Sequence, residues 1–244
     1  MIIVRLDDVD STNSWVSSHW EEINKPAMVY ALSQTAGRGQ RGNSWEAEPG
    51  KNLTATAALE LMDVEPKNQF LISEAIALAV VDTLVAYDIS ARVKWPNDIY
   101  VGECKICGIL IENSILGHSI TRTLAGIGLN VNQKEFHSDA PNPVSMTGIT
   151  GKTYDIAEVT EKLAEMIEKR LAQRIEREKL SEEYHRNLWR HDGEFYPFSD
   201  KKENLSYRGK IRKVSYDGVL EIENFAGEIK TYLFKEIEFL LSEK

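Results

Sequence analysis

The stretch NQFLISEAIALAVVDTLVAYD, at residues 68–88, constrains the fold more than any other part of the chain. It is too long for one strand, and its residues recur at the spacing of a helix. The residues at that spacing are Leu71, Ala75, Leu78, Asp82 and Val85. Because most sides of this helix would be apolar, it has to be covered on most sides. The sequence therefore predicts a domain built around one buried helix.

Strand-like runs lie on both sides of this helix. Apolar, β-branched and aromatic residues mark them at 2–6, 27–34, 52–61, 91–101, 105–113 and 120–132. A second long helix is expected after a cap near Asp155, and a further helical piece reaches about Arg190. The apolar residues of the second helix are Val159, Leu163, Met166, Ile167, Leu171 and Ile175. The pattern predicts an α+β fold.

The sequence changes character after His191. Short strands with closely spaced Gly, Asp and Asn turns follow it to the end of the chain. That pattern predicts a small β-barrel appended to the larger domain. The expected division is therefore a domain over 1–190 and a barrel over 191–244.

Composition limits the function classes. The net charge of −9 argues against broad binding to nucleic acid or membrane surfaces. No run of 18 apolar residues predicts a transmembrane helix, and the first residues lack an export signal. Cys104 and Cys107 are the two cysteines, and since a strand rather than a helix follows them, we interpret them as small core residues, not a redox pair. These features predict a cytoplasmic protein.

The loop QTAGRGQRGNSWEAEPG, at 34–50, fits two motifs incompletely. It satisfies the glycine pattern of a dinucleotide-binding turn and, with Asn43 in place of a lysine, that of a P-loop. Both motifs must open a helix, whereas here Pro49 and another strand follow. Glycine amides, two arginines and Trp45 remain, a combination suited to an anionic nucleotide. The alternative, a flexible surface turn with solvated arginines, stays open on the loop alone.

Three other segments are unusual. Lys94 and Lys105 lie on either side of a tight turn predicted for Trp-Pro-Asn-Asp, at 95–98. Lys105 then enters an apolar strand, which is costly unless its ammonium group meets an anion or reaches the strand edge. The segment DSTNSW, at 10–15, taken alone predicts a helix cap. AGIGLNVN, at 125–132, predicts either close approach to a ligand or a bulge.

Taken in chain order, these segments resemble motifs of the biotin protein ligase (biotin–[acetyl-CoA-carboxylase] ligase) family. The matching motifs are S-T-N at 11–13, G-R-G-x-x-G-x-x-W at 37–45, K-W-P-N-D…K-x-x-G-I-L at 94–110 and G-I-G-x-N-V-N at 126–132. Each motif alone is unspecific, whereas the ordered set is highly specific. The resemblance implies a catalytic biotin- and ATP-binding domain at 1–190, with a mixed β-sheet packed with helices. It also implies an SH3-like barrel at 191–244 and no N-terminal DNA-binding domain.

The resemblance also implies a two-step reaction. Biotin's carboxylate attacks the α-phosphate of ATP, with Mg²⁺ carried by the phosphates, and gives biotinoyl-AMP and pyrophosphate. The adenylate then acylates one lysine of a biotin carboxyl carrier domain. The protein would be a cytoplasmic monomer or homodimer that binds neither DNA nor membrane.

The resemblance assigns residues to each ligand. The implied catalytic residues are Lys105, Arg38 and Asp98. The implied biotin-binding residues are Ser11, Thr12, Asn13, Gln34, Gly37, Arg38, Gly39, Gln40, Lys105 and Gly108. The implied ATP-binding residues are Arg38, Arg41, Trp45, Lys94, Asn97 and Asn130, with Trp45 stacked on adenine.

Two points of the resemblance are open. Asp98 either accepts a proton from the attacking lysine or only orients it, and orientation is the safer role because an ordinary aspartate is a weak base. The family loop commonly carries arginines where this chain has Gln40 and Asn43, which predicts a looser lid over the adenylate.

Three rival functions differ in class. A lipoate ligase would share the architecture and chemistry without this pair of G-R-G…W and K-W-P-N-D motifs. A DNA-binding repressor would need a domain ahead of Ser11, where the first predicted strand already begins. A non-enzymatic biotin-binding module would leave Lys105 and the arginine loop without a role.

Overall fold

A computed structural model describes residues 1–137 and 142–241, with every side chain among them except that of Arg41. The strands of the larger part are β1 (Ile2–Val9), β2 (Ala27–Gln34), β3 (Leu53–Leu61), β4 (Arg92–Lys94), β5 (Asp98–Val101), β6 (Cys104–Leu116) and β7 (Ser119–Leu129). Its helices are α1 (Thr12–Ser18), α2 (Phe70–Ala86), α3 (Met146–Thr150), α4 (Ile156–Ala172) and α5 (Arg177–Arg186). The remaining strands are β8 (Tyr196–Asp200), β9 (Leu205–Val214), β10 (Leu220–Asn224), β11 (Ile229–Tyr232) and β12 (Ile237–Phe239).

Two sheets organise the described residues. The first has the order β1-β2-β3-β7-β6-β5-β4, in which β1 and β2 are parallel and the other neighbours antiparallel. The second is antiparallel, with the order β11-β10-β9-β8-β12. The predicted α+β class and the small C-terminal β unit are confirmed. The boundary between 190 and 191 stays a prediction.

Helix α2 is the centre of the core, as its composition predicts. Most of its residues are buried, and it packs against α4, α5 and the sheet. Pro66–Ala86 is long and apolar enough to cross a membrane by length and composition, but 72% of its most apolar window is buried inside the fold. Val85, which the helical spacing includes, lies in the last turn of α2 and is 57% exposed.

The strand-like run 91–101 is a hairpin, because the turn predicted for its Trp-Pro-Asn-Asp segment lies at residues 95–97 and separates β4 from β5. One prediction needed correction. Ile175, predicted on the apolar face of the second helix, lies in a short 3-10 turn after α4 and is 82% exposed. The predicted cap is confirmed, since the Asp155 side chain accepts hydrogen bonds from the first amides of α4.

The second sheet docks onto the helices and onto the β4–β5 hairpin. The indole N–H of Trp95 donates to the carbonyl of Gly218 at 3.0 Å. Gly218 has φ +88° and lies so close to Phe70 that a Cβ there would stand 2.6 Å from the ring. On α5, Nε2 of His185 accepts the Val214 amide at 2.9 Å. The end of β12 also lies close to this hairpin, since Phe239 contacts Lys94.

Glu74 is a buried carboxyl within α2, 2% exposed, with a hydrogen bond from Ser181. Burial raises its pKa from 4.5 to about 7. The folded protein therefore holds a proton that the unfolded chain has lost, and stability falls as the pH rises from about 4.5 through about 7. Glu74→Gln should remove that loss and raise the free energy of unfolding by up to about 3 kcal/mol at about pH 8.

Urea unfolding at about pH 5 and about pH 8 checks this prediction. Glu178→Gln, on the exposed side of α5, is the control and should leave the pH dependence unchanged. If the Glu74→Gln protein loses as much stability as the parent between the two pH values, Glu74 is not the titrating group.

Candidate active site

One cleft of about 1090 Å³ lies between the first sheet, the loop after β2 and the end of β12. Fourteen of the sixteen predicted site residues line it: Ser11, Thr12, Asn13, Gln34, Arg38, Gly39, Gln40, Trp45, Lys94, Asn97, Asp98, Lys105, Gly108 and Asn130. Gly37 does not line it, and the Arg41 side chain lies outside the described part of the chain. Segments distant in sequence therefore converge on one site.

The start of α1 forms one end of the cleft. Ser11 stands at the helix N-cap, but its side chain makes no capping bond, so the simple cap interpretation is incomplete. The Thr12 amide donates to Oε1 of Gln34 at 2.8 Å, and Thr56 donates to Oδ1 of Asn13. Ser11, Thr12 and Asn13 are all buried. This end of the cleft thus offers oriented hydroxyl and amide groups to a ligand.

The glycine-rich loop is a hairpin rather than the start of a helix, which confirms the rejection of both nucleotide motifs. The Trp45 amide donates to the Gly37 carbonyl at 2.9 Å, and the backbones of Arg38 and Ser44 form an isolated antiparallel β-bridge. Gly37 serves this turn, since a Cβ there would lie 2.6 Å from the Trp45 carbonyl oxygen. Gln40 lies at the tip of the hairpin, in a 3-10 turn.

Glycines form the floor of the cleft, and the close approach that they allow explains why the segment AGIGLNVN contains two of them. A Cβ on Gly128 would stand 2.3 Å from the Trp45 ring, and a Cβ on Gly108 would stand 2.8 Å from the same ring. A Cβ on Gly126 would stand 2.6 Å from Oδ1 of Asn13. The glycines therefore allow side chains of α1 and the loop to lie directly on β6 and β7. The buried indole N–H of Trp45 finds no acceptor within the described residues.

Lys105 faces the cleft because β6 is irregular. Side chains alternate along a strand, so residues three apart should point to opposite faces. Lys105 and Gly108 nevertheless face the same side, and Cε of Lys105 would lie 3.5 Å from a Cβ on Gly108. The register with β5 shifts between them, at Ile106, which allows Ile106 and Cys107 both to be buried. The bulge thus directs a lysine from an apolar strand into the site.

Asp98 lies between two lysines. Its Oδ1 is 2.7 Å from Nζ of Lys105, and its Oδ2 is 3.9 Å from Nζ of Lys94. All three side chains are less than one-fifth exposed. Burial lowers the pKa of Lys94, and the Asp98 charge opposes that effect. The site therefore holds two ammonium groups and one carboxylate, with net positive charge available to an anionic ligand.

Asparagine side chains hold the backbone around these charges. Nδ2 of Asn97 donates to the Ile109 carbonyl at 2.9 Å, and Nδ2 of Asn130 donates to the Val144 carbonyl at 3.1 Å. The Lys105 amide and carbonyl bond to Asn142 and Val144. Both asparagines and the lysine are thus fixed by neighbouring strands and loops.

Sequence reasoning missed two parts of the site. Glu112 of β6 accepts hydrogen bonds from Asn13 and Arg38. The second sheet also contributes lining residues, among them Lys201, Phe234 and Phe239, with Nζ of Lys94 5.4 Å from the Phe239 ring centre. The charged residue in the run GILIEN is a signal that could have identified Glu112. Nothing local in the sequence indicates that the second sheet contributes to the cleft.

The cysteine interpretation is confirmed. Both cysteines are free and lie on β6, with Cys107 buried and Cys104 half-buried. Burial raises the pKa of Cys107 well above its usual range. Among the described residues, no cluster of three His, Cys, Asp or Glu side chains could hold a metal ion.

The fold thus places a cationic cleft between a mixed sheet and a small C-terminal β-sheet. A structure of the biotin protein ligase from Aquifex aeolicus, in complex with biotin and ATP, matches with a TM-score of 0.80 and 27% identity over 99% of each chain. A sequence model of the Biotin/lipoate A/B protein ligase family matches residues 6–132. The chain belongs to this family.

Two curated relatives, both named as ligases, also match the chain. The biotin–[acetyl-CoA-carboxylase] ligase of Paracoccus denitrificans is 34% identical over 166 residues, which are 64% of this chain and 67% of that protein. The bifunctional ligase/repressor BirA of Bacillus spizizenii is 30% identical over 171 residues, 67% of this chain. The matched region spans about half (52%) of the length of that repressor.

Proposed function

We propose that the protein is an ATP-dependent biotin protein ligase, which activates biotin as biotinoyl-AMP and transfers it to a lysine of a biotin carboxyl carrier domain. The observation that carries the proposal is the convergence of Lys105, Arg38 and the Ser11–Asn13 segment on one cleft. Relatives named as biotin ligases, and a similar structure with biotin and ATP, support the choice of ligands.

In the first step, Lys105 brings two anions together. The carboxylate of biotin and the α-phosphate of ATP repel each other, and an ammonium group between them stabilises the charge that gathers at phosphorus. Arg38 meets the same carboxylate and then the phosphate of the adenylate. Trp45 and Asn97, with Asn130, form the nucleotide end of the cleft, and pyrophosphate leaves.

Magnesium would arrive with the nucleotide. Asp98 is the carboxylate nearest to the two lysines, and it is already held by both. Within the described residues the chain offers no clustered ligands of its own, so the ATP phosphates would supply most of the oxygen ligands. The ion would neutralise phosphate charge.

In the second step, a carrier lysine attacks the adenylate and releases AMP. A free lysine amine has a pKa of about 10.4, so deprotonating it at neutral pH costs about 4.6 kcal/mol. Asp98 lies in the cleft, and its contacts with two ammonium groups favour an orienting role over proton acceptance. We propose that it orients Lys105 and the incoming amine.

Asp98→Asn tests that role, since it removes the charge and keeps the shape. If Asp98 orients both Lys105 and the incoming amine, both half-reactions should slow about tenfold, the effect of losing a hydrogen bond to a charged group. Pyrophosphate exchange measures the first step, and single-turnover transfer from supplied biotinoyl-AMP measures the second. Asp63→Asn is the control, because Asp63 pairs with Arg174 outside the cleft. A loss confined to transfer would instead identify Asp98 as the base.

Biotin-dependent exchange of labelled pyrophosphate into ATP tests the function itself. The purified protein should catalyse exchange with biotin, and lipoate should neither replace nor compete with biotin. Exchange supported by lipoate alone would establish the alternative, a lipoate-type ligase with the same chemistry. The absence of exchange with either acid would refute both.

The partner and location follow from the proposed activity. We propose a biotin carboxyl carrier domain as the macromolecular substrate and the cytoplasm as the compartment, which the two free cysteines support. The net charge of −9 supports the absence of a DNA-binding role.

A further inference from the structure

Glu112 joins two parts of the cleft through one atom. Its Oε2 accepts a hydrogen bond from Nδ2 of Asn13 at 2.7 Å and another from Nη2 of Arg38 at 2.9 Å. Asn13 belongs to α1, and Arg38 belongs to the loop that follows β2. One carboxylate oxygen therefore touches both the buried pocket end and the loop arginine.

The contact with Asn13 needs an acceptor but not a charge. The Asn13 side chain is 3% exposed, and its Oδ1 accepts from Thr56. This fixes the amide so that Nδ2 points at Glu112. An uncharged amide oxygen at position 112 would accept the same hydrogen bond.

The contact with Arg38 is different, because it is an ion pair. The Arg38 side chain is 46% exposed and that of Glu112 is 39% exposed. Water therefore weakens the ion pair, and Glu112 is easy to displace from Arg38. Under the proposed function, Arg38 is also the cation that meets the carboxylate of biotin. Two carboxylates then compete for one guanidinium group.

We propose that Glu112 is a positioning residue that sets the affinity of the cleft for an anionic acid. In the unliganded protein it holds Arg38, and the carboxylate of the substrate has to displace it. This inference rests on the proposed function, since it takes biotin as the acid.

Glu112→Gln separates charge from shape. The variant keeps the acceptor for Asn13 and removes the competing charge. The dissociation constant for biotin should fall about threefold, the size expected for an exposed ion pair. The dissociation constant for biotinamide, which has no carboxylate, should not change. Calorimetric titration without ATP measures both.

Two matched proteins complete the test. Glu21→Gln removes a glutamate that pairs with Arg122 at 2.7 Å outside the cleft, and it should leave both dissociation constants unchanged. In a protein that already carries Arg38→Gln, adding Glu112→Gln should no longer lower the dissociation constant for biotin relative to that for biotinamide.

The outcomes are distinct. Tighter binding of biotin alone, lost in the Arg38→Gln background, supports the proposal. An equal change for biotin and biotinamide, or no change for either, overturns it and leaves Glu112 a structural residue. If the parent protein binds neither compound, the proposed function fails and this inference fails with it.

Discussion

Replacing Lys105 with alanine should slow formation of biotinoyl-AMP about 100- to 1,000-fold, the usual effect of losing one preorganised charge donor. The reason is the position of its ammonium group, which is held 2.7 Å from Asp98 on the floor of the cleft. Without it, nothing on β6 offsets the repulsion between the carboxylate and the α-phosphate. Biotin-dependent pyrophosphate release, measured with the purified variant, gives the rate.

Two comparisons make the Lys105 result specific. Transfer from supplied biotinoyl-AMP should fall far less, since that step starts after the two anions have been joined. Lys25→Ala removes another partly buried lysine, which lies 3.7 Å from Glu60 outside the cleft, and should leave the rate unchanged. Pyrophosphate release by the Lys105→Ala protein at the parent rate would remove Lys105 from the mechanism.

Replacing Arg170 with alanine should lower the free energy of unfolding by about 3 kcal/mol. Its guanidinium group pairs with Asp82 through two bonds of 2.6 and 2.8 Å and also binds Glu183, so it joins α2, α4 and α5. These bonds, first of all that with Asp82, raise the pKa of Arg170 above its usual range. The variant leaves two carboxylates less than one-quarter exposed and without their cation.

Chemical denaturation measures the loss, and Arg5→Ala is the control. Arg5 pairs with Asp7 at 3.3 Å where both side chains are mostly exposed, so its removal should cost less than about 1 kcal/mol. Adding Asp82→Asn and Glu183→Gln to Arg170→Ala should restore part of the stability. Equal losses for Arg170→Ala and Arg5→Ala would show that the buried network contributes little.

Local patterns in the sequence predicted most of the fold. Helical spacing with apolar residues on most sides identified α2, and the aspartate before the second helix identified its cap. The pattern was wrong at Ile175, since spacing alone does not show where a helix ends. The Trp-Pro-Asn-Asp segment identified the turn at 95–97 that separates β4 from β5.

Local sequence patterns could not predict some parts of the site. Strict alternation does not place Lys105 and Gly108 on one face, and only the bulge at Ile106 brings them together. Glu112 acts through Asn13 and Arg38, which are 99 and 74 residues away in the chain. The contribution of β12 depends on how the second sheet docks, which is decided by long-range contacts.

A crystal structure with biotin and ATP bound tests the central claim most directly, because that claim concerns the place of one ammonium group. We expect Nζ of Lys105 to leave Asp98 or share it, and to lie within hydrogen-bond distance of both the carboxylate of biotin and the α-phosphate. A structure in which both ligands occupy the cleft while that nitrogen points to solvent, away from either anion, would contradict it.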